Sequence, residues 1–192
     1  MCMRRSSTVS RRALDIVDLL AEDHADLRAL AEPVGGPDDH DGSAYLAWSD
    51  RLVRHEIAEE LVVYPALLSF PGGAAVADSR LDDQADIERK LIALGRESAG
   101  TAAFNTAASH LVLGHIAHLE REDAQVLPIL ATRVSRRRRL DLGRRFQKVQ
   151  QVAPMRQLPE GVRLPVGRTV VDRTSALSVW MRDVAMASGL AS

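Results

Sequence analysis

Apolar residues recur at steps of three and four along four segments of this chain, which is the spacing of one buried face on an α-helix. The segments cover residues 10–31, 43–69, 78–98 and 102–134. Glycine and proline interrupt the pattern between them, most densely at residues 33–37 and 70–73. Short loops favour antiparallel neighbours, so the pattern predicts an all-α fold. We expect an antiparallel up-down four-helix bundle over residues 10–135, followed by a C-terminal extension.

Several ionisable residues interrupt these otherwise apolar faces. Burying an imidazole or a carboxylate without a partner is costly, so a cluster of them on faces that point inward needs an explanation. Helical bundles build metal sites from His and Glu on facing helices, and a cation between the helices would account for the intrusion. The predicted metal ligands are His24, His55, Glu59, His118 and Glu122.

One motif occurs twice, in the second and fourth segments. It has a His, then a Glu four positions later, a second acid, and a Pro ten positions after the His. It covers residues 55–65 and again 118–128. Side chains at i and i+4 lie on one face of a helix, one turn apart. Each helix should therefore bring one His–Glu pair to a shared site. Imidazole with carboxylate suits non-haem iron, although zinc or manganese fits the same ligands.

The composition excludes several other classes of protein. The chain has 192 residues, 46% of them apolar and 27% charged, and its net charge is −1. This balance does not indicate a nucleic-acid or membrane partner. With Cys2 as the single cysteine, a disulfide framework and a Cys-based zinc site are excluded, and the cytoplasm is the default compartment. We also expect no signal peptide and no transmembrane segment.

The character of the chain changes after residue 135. The arginine run at residues 136–139 is interpreted as a solvated basic face at the C-terminal end of a helix, where it favours the helix dipole. Three prolines interrupt residues 154–165, and residues 174–187 are expected to form a short helix. We expect this extension to pack on the bundle or on a second copy of the chain, giving a homodimer. It contains no recognisable chemical motif.

The ionisable residues lie in strings that resemble those of a hemerythrin-like HHE cation-binding domain. The strings are D-H-A-D-L-R-A-L, L-V-R-H-E-I-A-E-E-L-V-V-Y-P and H-L-E-R-E-D-A-Q-V-L-P, within residues 13–130. The resemblance implies a four-helix bundle around a non-haem di-iron centre with an oxo or hydroxo bridge. His24, His55 and Glu59 would then serve one iron. His118 and Glu122 would serve the other, with both glutamates bridging.

The third segment departs from the family pattern. Where the family has a histidine in a string resembling E-H-x-x-x-E-x-x-L, this chain reads D-Q-A-D-I-E-R-K-L, with Gln84 at the histidine position. A glutamine offers only a weak neutral oxygen, so the second iron loses a ligand. His115 precedes His118 by three positions on the same face. It either replaces the missing ligand or is a buried histidine beside the site.

The resemblance implies a small ligand such as O2, NO or hydrogen peroxide. Reversible binding, sensing and catalase-like breakdown of peroxide in oxidative-stress defence all fit the same residues. A second hypothesis is iron storage, or iron or redox sensing. A third is a degenerate interaction module that holds one metal or none.

Overall fold

The computed structural model describes residues 15–153 apart from Arg96, and every regular element in this part of the chain is a helix. The all-α prediction is confirmed there. The predicted helix of residues 174–187 lies outside the described residues. The elements are α1 Ile16–Ala31, α2 Ser43–Ala58, a π-helical segment Glu59–Val63, α3 Tyr64–Leu67, α4 Gly73–Leu94, α5 Ala102–Arg133 and α6 Arg136–Val152.

The helices pack so that their buried polar positions meet at one level. Helix α1 contacts α2, α5 and α6, and α4 contacts α5. The apolar core has two clusters, one around Leu20 and Val62 and the other around Leu27, Leu52 and Ile87. On α1 and α2 the predicted ligands come between residues of the two clusters. A polar layer therefore divides the apolar core.

Pro65 and Pro128 have matching positions in the repeated motif, but the helix around each of them differs. After the first His–Glu pair, the Tyr64 N–H donates to the Glu59 carbonyl, five residues back, which widens the helix into the π-helical segment just before Pro65. Proline has no N–H to donate and its ring crowds the preceding turn of an α-helix. After the second pair, α5 continues through Pro128 to Arg133. The second proline therefore does not end its helix.

Helix α4 begins earlier than predicted, at Gly73 instead of near residue 78, and ends at Leu94 instead of near residue 98. Its start follows a tight turn from α3. Gly72 adopts φ 78°, and a Cβ on Gly73 would lie 1.9 Å from the Leu67 carbonyl oxygen, so only glycine fits there. This close approach lets α4 begin directly beside α3.

Helix α6 was not predicted. Leu142, Phe146 and Val149 form its buried stripe, which packs on α1, α2 and the π-helical segment. The arginine run opens this helix, so the interpretation of residues 136–139 as a helix C-terminal end is wrong. Arg139 binds the Asp15 carboxylate at 2.8 Å and also donates to the Ala131 carbonyl in the last turn of α5. It thereby joins the start of α6 to the start of α1.

The membrane prediction can also be compared with the helices. None of them, within the described residues, is both long enough and apolar enough to cross a bilayer.

Candidate metal centre

The structure brings all five predicted ligands into the polar layer, and each of them is fully buried. His24 comes from α1, His55 from α2, and His118 with Glu122 from α5. Glu59 is the first residue of the π-helical segment. Each His–Glu pair of the repeat is close, with Nε2 of the histidine 3.4 Å from the nearer carboxylate oxygen in both.

Four of the five ligands form a tight group. One donor atom from each of His24, His55, Glu59 and Glu122 can be chosen so that all four atoms lie within 4.8 Å of one another. First-row metal ions bind N and O ligands at about 2.0–2.2 Å, so opposite ligands of one ion are about 4 Å apart. The four donors therefore fit one cation. His118 lies beside this group, next to Glu122, and is not one of its members.

Buried polar atoms without partners point into this group. Nε2 of each of the three histidines finds no hydrogen-bond partner among the described residues, and neither do Glu59 Oε1 and Glu122 Oε2. Buried polar atoms in folded proteins are almost always paired, so five such atoms in one place need a common explanation. A cation would satisfy them together, and the donor set fits one.

Each histidine is oriented by a carboxylate from another helix. The Nδ1 atoms face aspartate oxygens at 2.9 Å, 2.6 Å and 3.4 Å, in the pairs His55–Asp23, His24–Asp123 and His118–Asp83. A carboxylate on Nδ1 fixes the ring and turns Nε2 toward the metal position. Asp123, the second acid in the later copy of the repeated motif, orients His24 in this way. The roles of Asp23 and Asp83 were missed.

Arginines in turn hold these three carboxylates. Arg51 binds Asp23, and Arg28 binds Asp123 at 2.5 Å. Asp83 has two such partners, Arg121 at 3.1 Å and Arg80 at 3.2 Å. Of these three carboxylates, Asp83 beside His118 is held by two guanidinium groups.

Asp23→Asn is expected to lower the affinity for Fe(II) or Mn(II) by about 10- to 100-fold, because the neutral amide no longer fixes His55 or raises its basicity. Asp26→Asn makes the same change at an exposed position of α1 and should leave the affinity unchanged. Equilibrium titration against a competing chelator measures both. Equal affinities for the two variants would show that Asp23 does not act on the site.

The charges of the site are balanced by protons when no cation is bound. Burial alone would lower the pKa of His24, but the Asp123 and Glu59 carboxylates outweigh it and raise the pKa to about 10. Burial, and then the charge of Glu59, raise the pKa of Glu122 well above its ordinary value. Near neutral pH His24 is therefore protonated, and Glu122 keeps its proton to a higher pH than an exposed glutamate does. A cation that binds here displaces protons, so its affinity rises with pH.

Tyr64 and Gln84 close the site on the side of α4. The Tyr64 hydroxyl lies 2.8 Å from Glu122 Oε1 and 3.1 Å from Glu59 Oε2, so it can donate to either carboxylate. The Gln84 amide donates to Glu59 Oε2 at 3.0 Å and to the Tyr64 oxygen at 2.6 Å. This contact of Tyr64 with both glutamates was not predicted from the sequence.

His115 lies near the site without joining it. It is fully buried, and its ring packs edge-on against Trp48 with centroids 5.5 Å apart. Burial lowers its pKa well below the ordinary value, so the ring is neutral. It is absent from the four-residue group found among the described residues. Of the two alternatives for His115, the structure favours a buried histidine beside the site.

Helix α6 also reaches the site, although no chemistry was predicted for the extension. The Phe146 ring meets the His55 ring edge-on, with centroids 6.2 Å apart. Gln150 donates to Asp23 Oδ2 at 2.5 Å, the same oxygen that faces His55. The extension therefore helps to position His55.

Three buried histidines and two buried glutamates, each histidine backed by an aspartate, define a helical protein with a candidate non-haem metal centre. The chain belongs to the hemerythrin HHE cation-binding domain family, whose sequence profile matches residues 15–130. It is similar to an uncharacterized hemerythrin-like protein of Schizosaccharomyces pombe, with 22% identity over 182 residues that cover 92% of this chain and 89% of the relative. No solved structure matches the chain.

Proposed function

We propose that this chain is a non-haem iron protein that binds or reacts with a small ligand, namely O2, NO or hydrogen peroxide. The observation that carries this proposal is the set of buried, unpartnered imidazole and carboxylate atoms converging within the helices. Mixed nitrogen and oxygen donors suit iron, and membership of a cation-binding family supports the same kind of metal.

We further propose that α1, α2, α4 and α5 form the antiparallel up-down four-helix bundle expected from the sequence. The Tyr45 hydroxyl at the start of α2 donates to the Leu91 carbonyl near the end of α4, which supports an antiparallel arrangement of those two helices. Asp15 at the start of α1 meets Arg139, just beyond α5, which supports the same for α1 and α5.

In this function the protein holds the metal, orients its ligands and excludes water. His24, His55, Glu59 and Glu122 would bind iron, and Asp23 and Asp123 hold the two imidazoles in place. The apolar clusters on both sides of the polar layer keep bulk water away. The Tyr64 hydroxyl holds a proton next to both glutamates. Bound iron would supply electrons and coordination positions for the small ligand.

The proposal predicts that the purified chain retains iron and that its ferrous form responds to small ligands. We expect NO added without oxygen to change the optical and EPR spectra of the ferrous protein, and O2 or peroxide to oxidise it. Zinc-loaded protein is the control and should show neither response. Failure to retain iron, or spectra that none of the three ligands alters, would refute the proposal. Catalytic loss of peroxide would place the protein in oxidative-stress defence.

A further inference from the structure

The two oxygens of each buried glutamate have different surroundings. Glu59 Oε1 and Glu122 Oε2 lie 3.8 Å and 3.6 Å from His24 Nε2 and have no hydrogen-bond partner among the described residues. The other two oxygens are engaged, Glu59 Oε2 by Gln84 and Glu122 Oε1 by the Tyr64 hydroxyl. A carboxylate that bridges two metal ions in the common bidentate mode uses one oxygen for each ion. Here one oxygen of each glutamate is free of hydrogen bonds, and the other already accepts one from Tyr64 or Gln84.

We propose that this centre holds a single cation, bound by His24, His55, Glu59 and Glu122, and that Tyr64 and Gln84 take the place of a second. This inference rests on the proposed function, in which the cluster binds iron. It differs from the di-iron centre that the resemblance implies. The paired side chains of Tyr64 and Gln84 supply by hydrogen bonds what a second ion would supply by coordination.

The charges near the site support the same count. Glu59 and Glu122 together carry the negative charge that neutralises one divalent cation, and a second cation would need its counter-charge from outside the four donors. The side on which His118 lies already has two guanidinium groups on one carboxylate, because Arg80 and Arg121 both bind Asp83. A second cation there would be repelled.

The position of His118 agrees with this arrangement. Its Nε2 lies 3.4 Å from Glu122 Oε2, yet His118 does not join the four donors that fit one ion. Its Nδ1 contact with Asp83, at 3.4 Å, is longer than the corresponding contacts of the other two histidines. On α4, Gln84 stands at the position where the family pattern has a histidine. Its Oε1 has no hydrogen-bond partner among the described residues. His118 is thus a neighbour of the cation site, next to Glu122.

The test is a count of metal ions in the full chain. The metal-free protein is loaded with excess Fe(II) or Mn(II) under anaerobic conditions, freed of unbound metal, and analysed for metal and protein. We expect the wild type to saturate at one ion per chain. After oxidation of the iron form, we expect the EPR signal of an isolated high-spin ferric ion, because antiferromagnetic coupling in a bridged pair would suppress it.

The double variant Gln84→His/Tyr64→Phe restores an imidazole on α4 and removes the phenol, so we expect its count to rise to two. Gln125→His adds a histidine at an exposed position of α5 and should leave the count at one. Circular dichroism shows whether each variant is folded. The number of ions bound per wild-type chain tests the inference even if a variant fails to fold.

The outcomes separate the two proposals. Two ions in the wild type would overturn the single-cation inference and leave the proposed function intact. No bound ion would overturn both. A folded double variant that still takes one ion would show that Tyr64 and Gln84 do not set the count.

Discussion

Glu122→Gln is expected to lower the affinity of the centre for Fe(II) or Mn(II) by about 100-fold or more, without destabilising the cation-free protein at pH 7. Loss of an outer carboxylate typically costs 10- to 100-fold in metal affinity, and loss of a direct anionic ligand should cost at least the upper value. Glutamine keeps the shape of the side chain and still offers an oxygen to the Tyr64 hydroxyl. Only the charge at the metal is removed.

The stability half of this prediction follows from the raised pKa of Glu122 in the cation-free protein. A carboxyl whose pKa is higher in the folded than in the unfolded chain stabilises the fold only below its unfolded pKa, near 4.5. That contribution is lost as the pH rises toward the folded value. The wild type loses this contribution progressively above pH 4.5, whereas glutamine has no proton to lose. Cation-free Glu122→Gln should therefore be at least as stable as the wild type.

Chelator-competition titrations measure the affinity, and urea unfolding of the cation-free proteins measures the stability. Glu120→Gln is the matched control, because it makes the same change at an exposed position two residues earlier on α5. It should leave both quantities unchanged. If Glu122→Gln bound the cation as tightly as the wild type, Glu122 would not be a ligand.

Phe146→Ala is expected to reduce the free energy of unfolding by about 3–5 kcal/mol, the usual cost of removing a buried phenylalanine side chain. Phe146 is 1% exposed and belongs to the cluster that also contains Leu20 and Val62. Its removal would leave a cavity between α6 and the helices beneath it. Because its ring also packs on His55, we expect weaker cation binding as well.

Urea unfolding of the cation-free protein gives the stability change directly, free of any contribution from bound metal. Val152→Ala also truncates an apolar side chain on α6, but Val152 is 37% exposed, so this control should cost less than about 1 kcal/mol. A similarly small loss for Phe146→Ala would mean that α6 contributes little to the stability of the helices on which it packs.

The inward positions of the site could be predicted because they depend on helical periodicity alone. His24, His55, Glu59, His118 and Glu122 share inward faces with apolar residues, and helix geometry fixes that relation whatever the neighbouring helices do. All five are fully buried in the structure. The departure at Gln84 could be predicted for a different reason. Comparison with the family's string shows a glutamine where the family has a histidine.

Contacts between helices could not be predicted from periodicity. Asp23 orients His55 on another helix, although it is next to His24 in the sequence. The register between helices depends on packing, which one sequence does not show. A local signal existed, however, because Asp23, Asp83 and Asp123 each lie directly beside a position where the family pattern has a ligand. Each of them orients a histidine of another helix.

The contact of Tyr64 depends on a local change of helix type. Five residues along an α-helix is a rotation of about 500°, which would put Tyr64 about 140° away from Glu59. In the π-helical segment the hydrogen bond runs from Tyr64 to the Glu59 carbonyl, and the wider turn brings Tyr64 back over Glu59. The proline of the repeat does not by itself predict this change, because α5 continues through Pro128 in the matching position. A regular α-helical period would therefore have placed Tyr64 on a different face from Glu59.

Full burial of the donor atoms also controls how quickly the centre can exchange its metal. His24, His55, Glu59 and Glu122 are inaccessible to solvent, so a chelator cannot reach a bound ion while the helices stay together. Release must wait for a local opening of the fold, and its rate is set by how often that opening occurs. Metal exchange in this protein should therefore be slow and limited by that opening. The ion found after purification would record what was available when the chain folded, more than what the final buffer contained.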